Sequence, residues 1–252
     1  MAVRKRASAM TPAEQKRFIT VVNSLIKATG DPNPYGDFVA LHANHAYNMH
    51  PFMGPVGAQR FLPWHRVYLL KLEQMGQAID PLFFIPYWKW TQDRSVPDWM
   101  STFLPTIKTP GINRKVIRNP PRPQTTLPTA AQINTVQDPD KDFTSYVSAM
   151  DIPHGRVHNW CNGTMSDIHW SPADPLFWLH HAEIDRLWSE WQVASPGKNP
   201  SLTGMNRVMS PWSETEAQVR SISSLGYSYR SEEHTSELQS HSDLVCRLLL
   251  EK

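Results

Sequence analysis

The sequence predicts a mainly α fold: an antiparallel four-helix bundle with long proline-rich loops and little β structure. Apolar residues recur at helical spacing in several separate segments. The 22 prolines of the 252-residue chain fall largely between those segments. Alternating apolar and polar runs of the strand type are almost absent. Ten tryptophans point to an aromatic core, and 40% hydrophobic content is enough for one large domain.

The elements follow in order. A first helix is expected over 11–29, with Thr11 as cap, Pro12 in the first turn, and Phe18, Val21, Val22, Leu25 and Ile26 on one face. A second runs over 35–47, after the turn "DPNPYG". "NMHPFMGPVGAQ" reads as a loop, so the third helix is expected to begin at Pro63 and run to Ile79. "PYWKWTQD" opens a long irregular stretch to about residue 140, with a short hairpin near "RKVIRNP". A fourth helix carries His154 and His158, and a fifth covers 175–192.

Other classes are disfavoured. Net charge is +2 and no basic stripe with interleaved aromatics occurs, which argues against nucleic acid. No apolar run has the length of a membrane span. The basic N-terminus lacks the apolar segment of a secretory signal, so the expected location is cytoplasmic. Two cysteines, Cys161 and Cys246, support neither a disulfide framework nor a thiolate metal site. Residues 230–252, "RSEEHTSELQSHSDLVCRLLLEK", lack proline, glycine and aromatics. They resemble the translation of a DNA-sequencing adapter, so the expected native domain is 1–229.

The histidines carry the chemistry. On the last helix, Phe177, His181, Ile184, Trp188 and Trp191 share one stripe, while Glu183, Arg186 and Glu190 fall opposite. His42 shares a stripe with Tyr35 and Phe38, and His65 with Phe61, Leu69 and Leu72. His154 and His158, four apart, lie one above the other. One inward imidazole is commonplace and bonds a carbonyl. Four helices that each aim one inward would bury several polar groups, which is costly unless they share a partner. A metal centre in the bundle core is the economical solution. No carboxylate or thiolate joins these stripes, so calcium, magnesium and a glutamate-rich di-iron site fit poorly. Imidazole suits copper, zinc, iron and nickel. Histidines grouped three near 42–65 and three over 154–181 match a dinuclear copper site.

Five stretches then resemble the type 3 copper proteins of the tyrosinase and catechol oxidase family, of short bacterial or archaeal type. "RFLPWHRVYLLKLEQ" (60–74) is similar to the copper A helix motif, and "PYWKW" (86–90) to the usual PYWDW. "PHGRVHNW" (153–160) and "DPLFWLHHAEIDRLW" (174–188) are similar to the two copper B signatures. "YSY" (227–229) is similar to the Tyr-x-Tyr pair that closes the catalytic core. The resemblance spans about 15–229.

By position, the resemblance implies His42, His50 and His65 on copper A, with His45 the competitor for His50. It implies His154, His158 and His181 on copper B. His180 would orient a neighbour, and Phe177 would pack at the site. Asp185, Arg66 and Arg186 are candidates for supporting ion pairs. The implied reaction uses two copper ions and O2 to oxidise small phenols, catechols to o-quinones, with weaker o-hydroxylation of monophenols. Many relatives follow the first copper B histidine with Asn and place a water-holding Glu four residues before it. Here those positions are Gly155 and Met150. Asp151, next to Met150, either replaces that function or caps the helix ahead of Pro153. Asn159 can supply a polar contact at the site mouth. These departures favour diphenols. The competing readings are haemocyanin-like O2 carriage and a His-only zinc hydrolase, the latter weakened because "HGRVH" holds no glutamate base. A homodimer and a copper-delivery partner are left open.

Overall fold

A computed structural model describes residues 1–28, 34–109 and 112–230. Of the adapter-like segment 230–252, all but Arg230 lies outside the described residues. Among the described residues seven α-helices dominate: α1 (Pro12–Lys27), α2 (Pro34–Ala43), α3 (Pro55–Ile79), α4 (Asp98–Ser101), α5 (Ala130–Val136), α6 (Phe143–Cys161) and α7 (Leu176–Ala194). Four short strands, β1 (Ala2–Arg4), β2 (Thr106–Thr109), β3 (Ile112–Lys115) and β4 (Tyr227–Tyr229), complete the order.

Thr11 caps α1 as expected: its hydroxyl accepts from the Glu14 N–H, and the Glu14 carboxylate accepts from the Thr11 N–H. Helix α2 stops at Ala43, short of the expected 47, and a 3₁₀ turn continues over His45–Tyr47. Helix α3 begins at Pro55, eight residues earlier than the sequence suggested, and passes through Pro63. Both prolines suit a first turn, but Gly54, at φ 94°, is the residue that breaks from helix. Asp142 caps α6 through the Ser145 N–H, which places Asp151 mid-helix and removes its reading as a cap. The hairpin is real but lies earlier, β2 pairing antiparallel with β3 from Thr106↔Lys115 to Thr109↔Ile112.

Helix α3 is central and packs against α6 and α7. Trp64, Trp88, Trp90, Trp178, Trp188 and Trp191 are fully buried around it. Helix α7 differs from the expected two-faced pattern: Leu176 through Trp188 are all buried, Glu183 and Arg186 included. The Arg186 guanidinium donates twice to Glu183, at 2.7 and 2.9 Å, so the opposed charges enter the interior together.

A second buried network ties the chain ends to α3 and α7. Strand β1 pairs in parallel with β4, bringing Arg4 beside Tyr229. Arg4 is fully buried; it donates to both Glu73 oxygens at 3.1 Å and to Asp185 at 3.2 Å. Arg66, on α3, donates to the other Asp185 oxygen at 2.6 Å. The Tyr227 and Tyr229 hydroxyls donate to Asp185 at 2.7 and 2.6 Å. Arg66 follows His65 and Asp185 lies one turn after His181. The ion pair therefore fixes the relative placement of two histidine-bearing helices.

Candidate metal centre

Helices α2, α3, α6 and α7 each carry inward histidines, and the structure gathers them in two adjoining groups. His42, His50 and His65 form one; His154, His158, His180 and His181 form the other. Within each group one ring nitrogen per residue lies within 4.8 Å of the others. His65 and His181 stack across the boundary with centroids 4.6 Å apart.

The outer nitrogens define the tautomers. His42 Nδ1 donates to the Ile168 carbonyl at 2.9 Å, His65 Nδ1 to Phe61 at 2.8 Å, and His158 Nδ1 to Met165 at 2.8 Å. Those nitrogens therefore hold the proton, and Nε2 presents a lone pair inward. The inward nitrogens face one another closely: His42 and His65 at 3.3 Å, His158 and His154 at 3.1 Å, His158 and His181 at 3.2 Å. Opposed lone pairs repel, and a shared cation resolves the conflict. Burial holds His42, His65, His158 and His181 well below the usual imidazole range, and neighbouring histidines add to the effect. Burial likewise takes His50 down to about 3. Protonation is thus disfavoured, and a metal fits better than protons. His50 Nε2 and His181 Nδ1 are also buried without a hydrogen-bond partner among the described residues.

His50 is placed by its loop rather than by a helix stripe. Its carbonyl accepts from the Met53 N–H at 3.0 Å. A Cβ at Gly57 would sit 2.2 Å from that same carbonyl oxygen, so the first turn of α3 can approach only as glycine. His45, the competitor, stacks instead on His169 at 5.1 Å. His180 stacks parallel to His154 at 5.4 Å and meets His158 edge-on at 4.8 Å. Phe177 is fully buried, stacked on His181 at 4.0 Å and edge-on to His42 at 5.2 Å, so it touches both groups.

A cavity of about 220 Å³ opens onto the histidines. His42, His50, His154 and His158 form its floor; Phe52, Asp151, Gly155, Asn159, Ser166 and Ile168 are among its walls. Gly155 and Asn159 therefore reach the cavity. Met150 is buried and absent from its lining. The sequence left Asp151 undecided; its carboxylate accepts from His154 Nδ1 at 3.2 Å and lines the cavity. The i, i+3 spacing of Asp151 and His154 on one helix was the available signal. Phe52, stacked on His50 at 5.4 Å, was not singled out from sequence.

The family model for the common central domain of tyrosinase matches residues 32–127 and 105–194. The tyrosinase of Streptomyces glaucescens is 32% identical over 262 residues, covering 85% of this chain and 94% of that protein.

The chain belongs to the tyrosinase family.

Family membership implies copper binding, and the buried histidine groups fit it. Grixazone synthase of Streptomyces griseus is 28% identical, over 83% of this chain and 93% of its own length. Among solved structures, a functional unit of octopus haemocyanin superposes with TM-score 0.71 at 22% identity, covering 95% of this chain and 73% of that one. Recombinant mushroom tyrosinase gives 0.68 at 16%, covering 90% and 61%. These two structural likenesses concern the fold. Among the described residues, no helix is long and apolar enough to cross a membrane.

Proposed function

We propose that this chain is a type 3 copper oxidase that converts o-diphenols to o-quinones with O2, and hydroxylates monophenols more slowly. The observation that carries the reading is the pair of buried imidazole groups with opposed inward nitrogens, opening on a cavity sized for one aromatic ring. The residues that would hold the metal are His42, His50 and His65 for copper A, and His154, His158 and His181 for copper B. Copper bound there supplies the redox chemistry, with two diphenols giving four electrons and four protons to one O2 to leave two quinones and two waters.

The chain's own residues do the rest. Backbone carbonyls of Ile168, Phe61 and Met165 lock three imidazoles in the tautomer that leaves Nε2 free to ligate. The Asp151 carboxylate serves His154 in the same way. Phe177 closes the inner face with an apolar ring, and Phe52 gives an exposed aromatic wall. A phenol entering beside Gly155 meets no side chain there, and a Cβ at that position would have open space.

Proton removal separates the two reactions. A monophenol, with a pKa near 10, is ionised to only about one part in a thousand at neutral pH. A base held at the wall would relieve this by roughly 10² to 10⁴ in rate. Gly155 offers no polar side-chain atom to hold it, Met150 is apolar and buried, and the Asp151 carboxylate on the same wall is engaged by His154 Nδ1 at 3.2 Å. A diphenol carries a second, adjacent hydroxyl that copper held by the two histidine groups would acidify, so its oxidation would be less dependent on that base. The test is a copper-loaded assay of a monophenol beside its matching diphenol. Diphenol oxidation should exceed hydroxylation by a wide margin, with a lag on the monophenol. Equal rates would reject the diphenol preference, and no quinone from either would reject the oxidase. The exposed Phe52 at the cavity wall, 62% accessible, favours an open enzyme site over covered O2 carriage. The native domain is proposed to be 1–229.

A further inference from the structure

The walls of the cavity carry one charge. Its lining is four histidines, His42, His50, His154 and His158, with uncharged residues, and Asp151 is its one carboxylate, with no lysine or arginine beside it. Its side chain is 41% exposed, so the carboxylate meets both the cavity and solvent. One oxygen accepts from His154 Nδ1 at 3.2 Å. The nearest charged residue along α6, Arg156, lines a different cavity and donates to Gln132 at 3.3 Å. Near the other rim, Arg114 and Asp167 neutralise each other at 3.2 Å. No lysine or arginine therefore offsets Asp151 within the lining. In the same lining, Phe52 and Pro51 present apolar surface that can hold the body of a ring.

We propose that Asp151 is a specificity-determining residue that favours phenolic substrates bearing an ammonium side chain over those bearing a carboxylate. This rests on the phenol oxidase reading and names its substrate class. With the ring over the histidines, a two- or three-atom substituent reaches the wall. An ammonium there meets an opposite charge, and a carboxylate meets a like one. At a largely solvated surface, unit charges about 5 Å apart shift an equilibrium roughly threefold, in favour of the ammonium and against the carboxylate, so the two substrates differ by about tenfold.

The test compares kcat/KM for an aminoethyl catechol, a carboxyethyl catechol and unsubstituted catechol. Calorimetric Kd values for phenethylamine and 3-phenylpropionate, which the enzyme cannot oxidise as catechols, are measured beside them. Wild type should prefer the amine over the acid by about tenfold in both measurements. Raising ionic strength to about 0.5 M, where the Debye length is about 4 Å, should shrink the preference. Asp151→Asn should bring the amine-to-acid ratio close to one, and Asp151→Glu should retain most of it. The unsubstituted catechol absorbs any effect that passes through His154, so the ratio reads the charge alone. A wild-type ratio near one, or a ratio unmoved by both salt and Asp151→Asn, overturns the proposal. If Asp151→Asn fails to fold, the salt dependence of wild type and the Asp151→Glu ratio still decide. If no catechol is oxidised while phenethylamine binds tenfold tighter than 3-phenylpropionate, the oxidase reading fails and the wall's charge selectivity stands.

Discussion

Replacing Asp185 with Asn tests how the fold holds the site. Asp185 is 3% exposed and accepts from Arg66, Arg4, Tyr227 and Tyr229. Arg4 keeps both Glu73 oxygens after the change. Arg66 does not: its remaining acceptors are the neutral oxygens of Gln192, Val219 and Arg220. The substitution leaves a fully buried guanidinium without an anion. Breaking a buried pair in this way costs about 3–5 kcal/mol. For a chain of this size each kcal/mol is worth about 2–4 °C, so the Tm should fall by about 10 °C. The assay is thermal and urea unfolding of the metal-free chain, followed by far-ultraviolet circular dichroism. Adding Arg66→Met should recover part of the loss, because no unpaired charge then remains. The pH dependence has a definite sign. Burial would raise the Asp185 pKa, but Arg66 and Arg4, with the Tyr229 hydroxyl, overcome it and hold the carboxylate below its ordinary range. A depressed folded pKa contributes stability that is complete above the unfolded value, near 4, and lost as pH falls through the folded value. The gap between wild type and Asp185→Asn should be full at pH 6 and close below about pH 4. A gap under about 1 kcal/mol at pH 6, or one that widens on acidification, would refute the reasoning.

Three further outcomes are expected. His50→Ala should lose copper A while His45→Ala retains it, read as bound copper per chain; the reverse result would reassign the loop ligand. Gly155→Asn should raise the monophenol rate relative to the diphenol rate, because it adds a polar group where a Cβ meets nothing within 4 Å; an unchanged ratio would mean that another group at the cavity, Asn159 or Asp151, already positions the base. A chain ending at Tyr229 should keep wild-type-like catechol oxidation, because it retains the whole β1–β4 pairing, from Ala2↔Tyr227 to Arg4↔Tyr229. Insolubility of that chain, rescued by residues 230–252, would contradict the 1–229 domain.

The histidine helices were legible because periodicity reports facing. His42, His65, His154, His158 and His181 each sit on an apolar stripe, and an interior imidazole demands a partner. His50 has no such signal: a loop carbonyl packed on Gly57 places it, and only the family resemblance pointed there. Pro63 misled because proline favours a first turn, yet Gly54 sets the break and α3 runs through. The helical wheel set Glu183 and Arg186 opposite the apolar stripe because it scores each residue alone, whereas their mutual pairing lets both enter the interior. Arg4 looked like part of a basic tail. Its partners Glu73 and Asp185 lie 69 and 181 residues away, and no local pattern encodes contacts of that range.

The central claim is a dinuclear copper centre, and the most direct measurement is an anaerobic titration of the metal-free chain with Cu(I), read as copper retained per chain after gel filtration. Wild type should bind two. His181→Ala should bind one, because copper A keeps its three histidines while copper B loses one of its own. Saturation of wild type at one copper, or two copper ions retained in His181→Ala, would contradict the account.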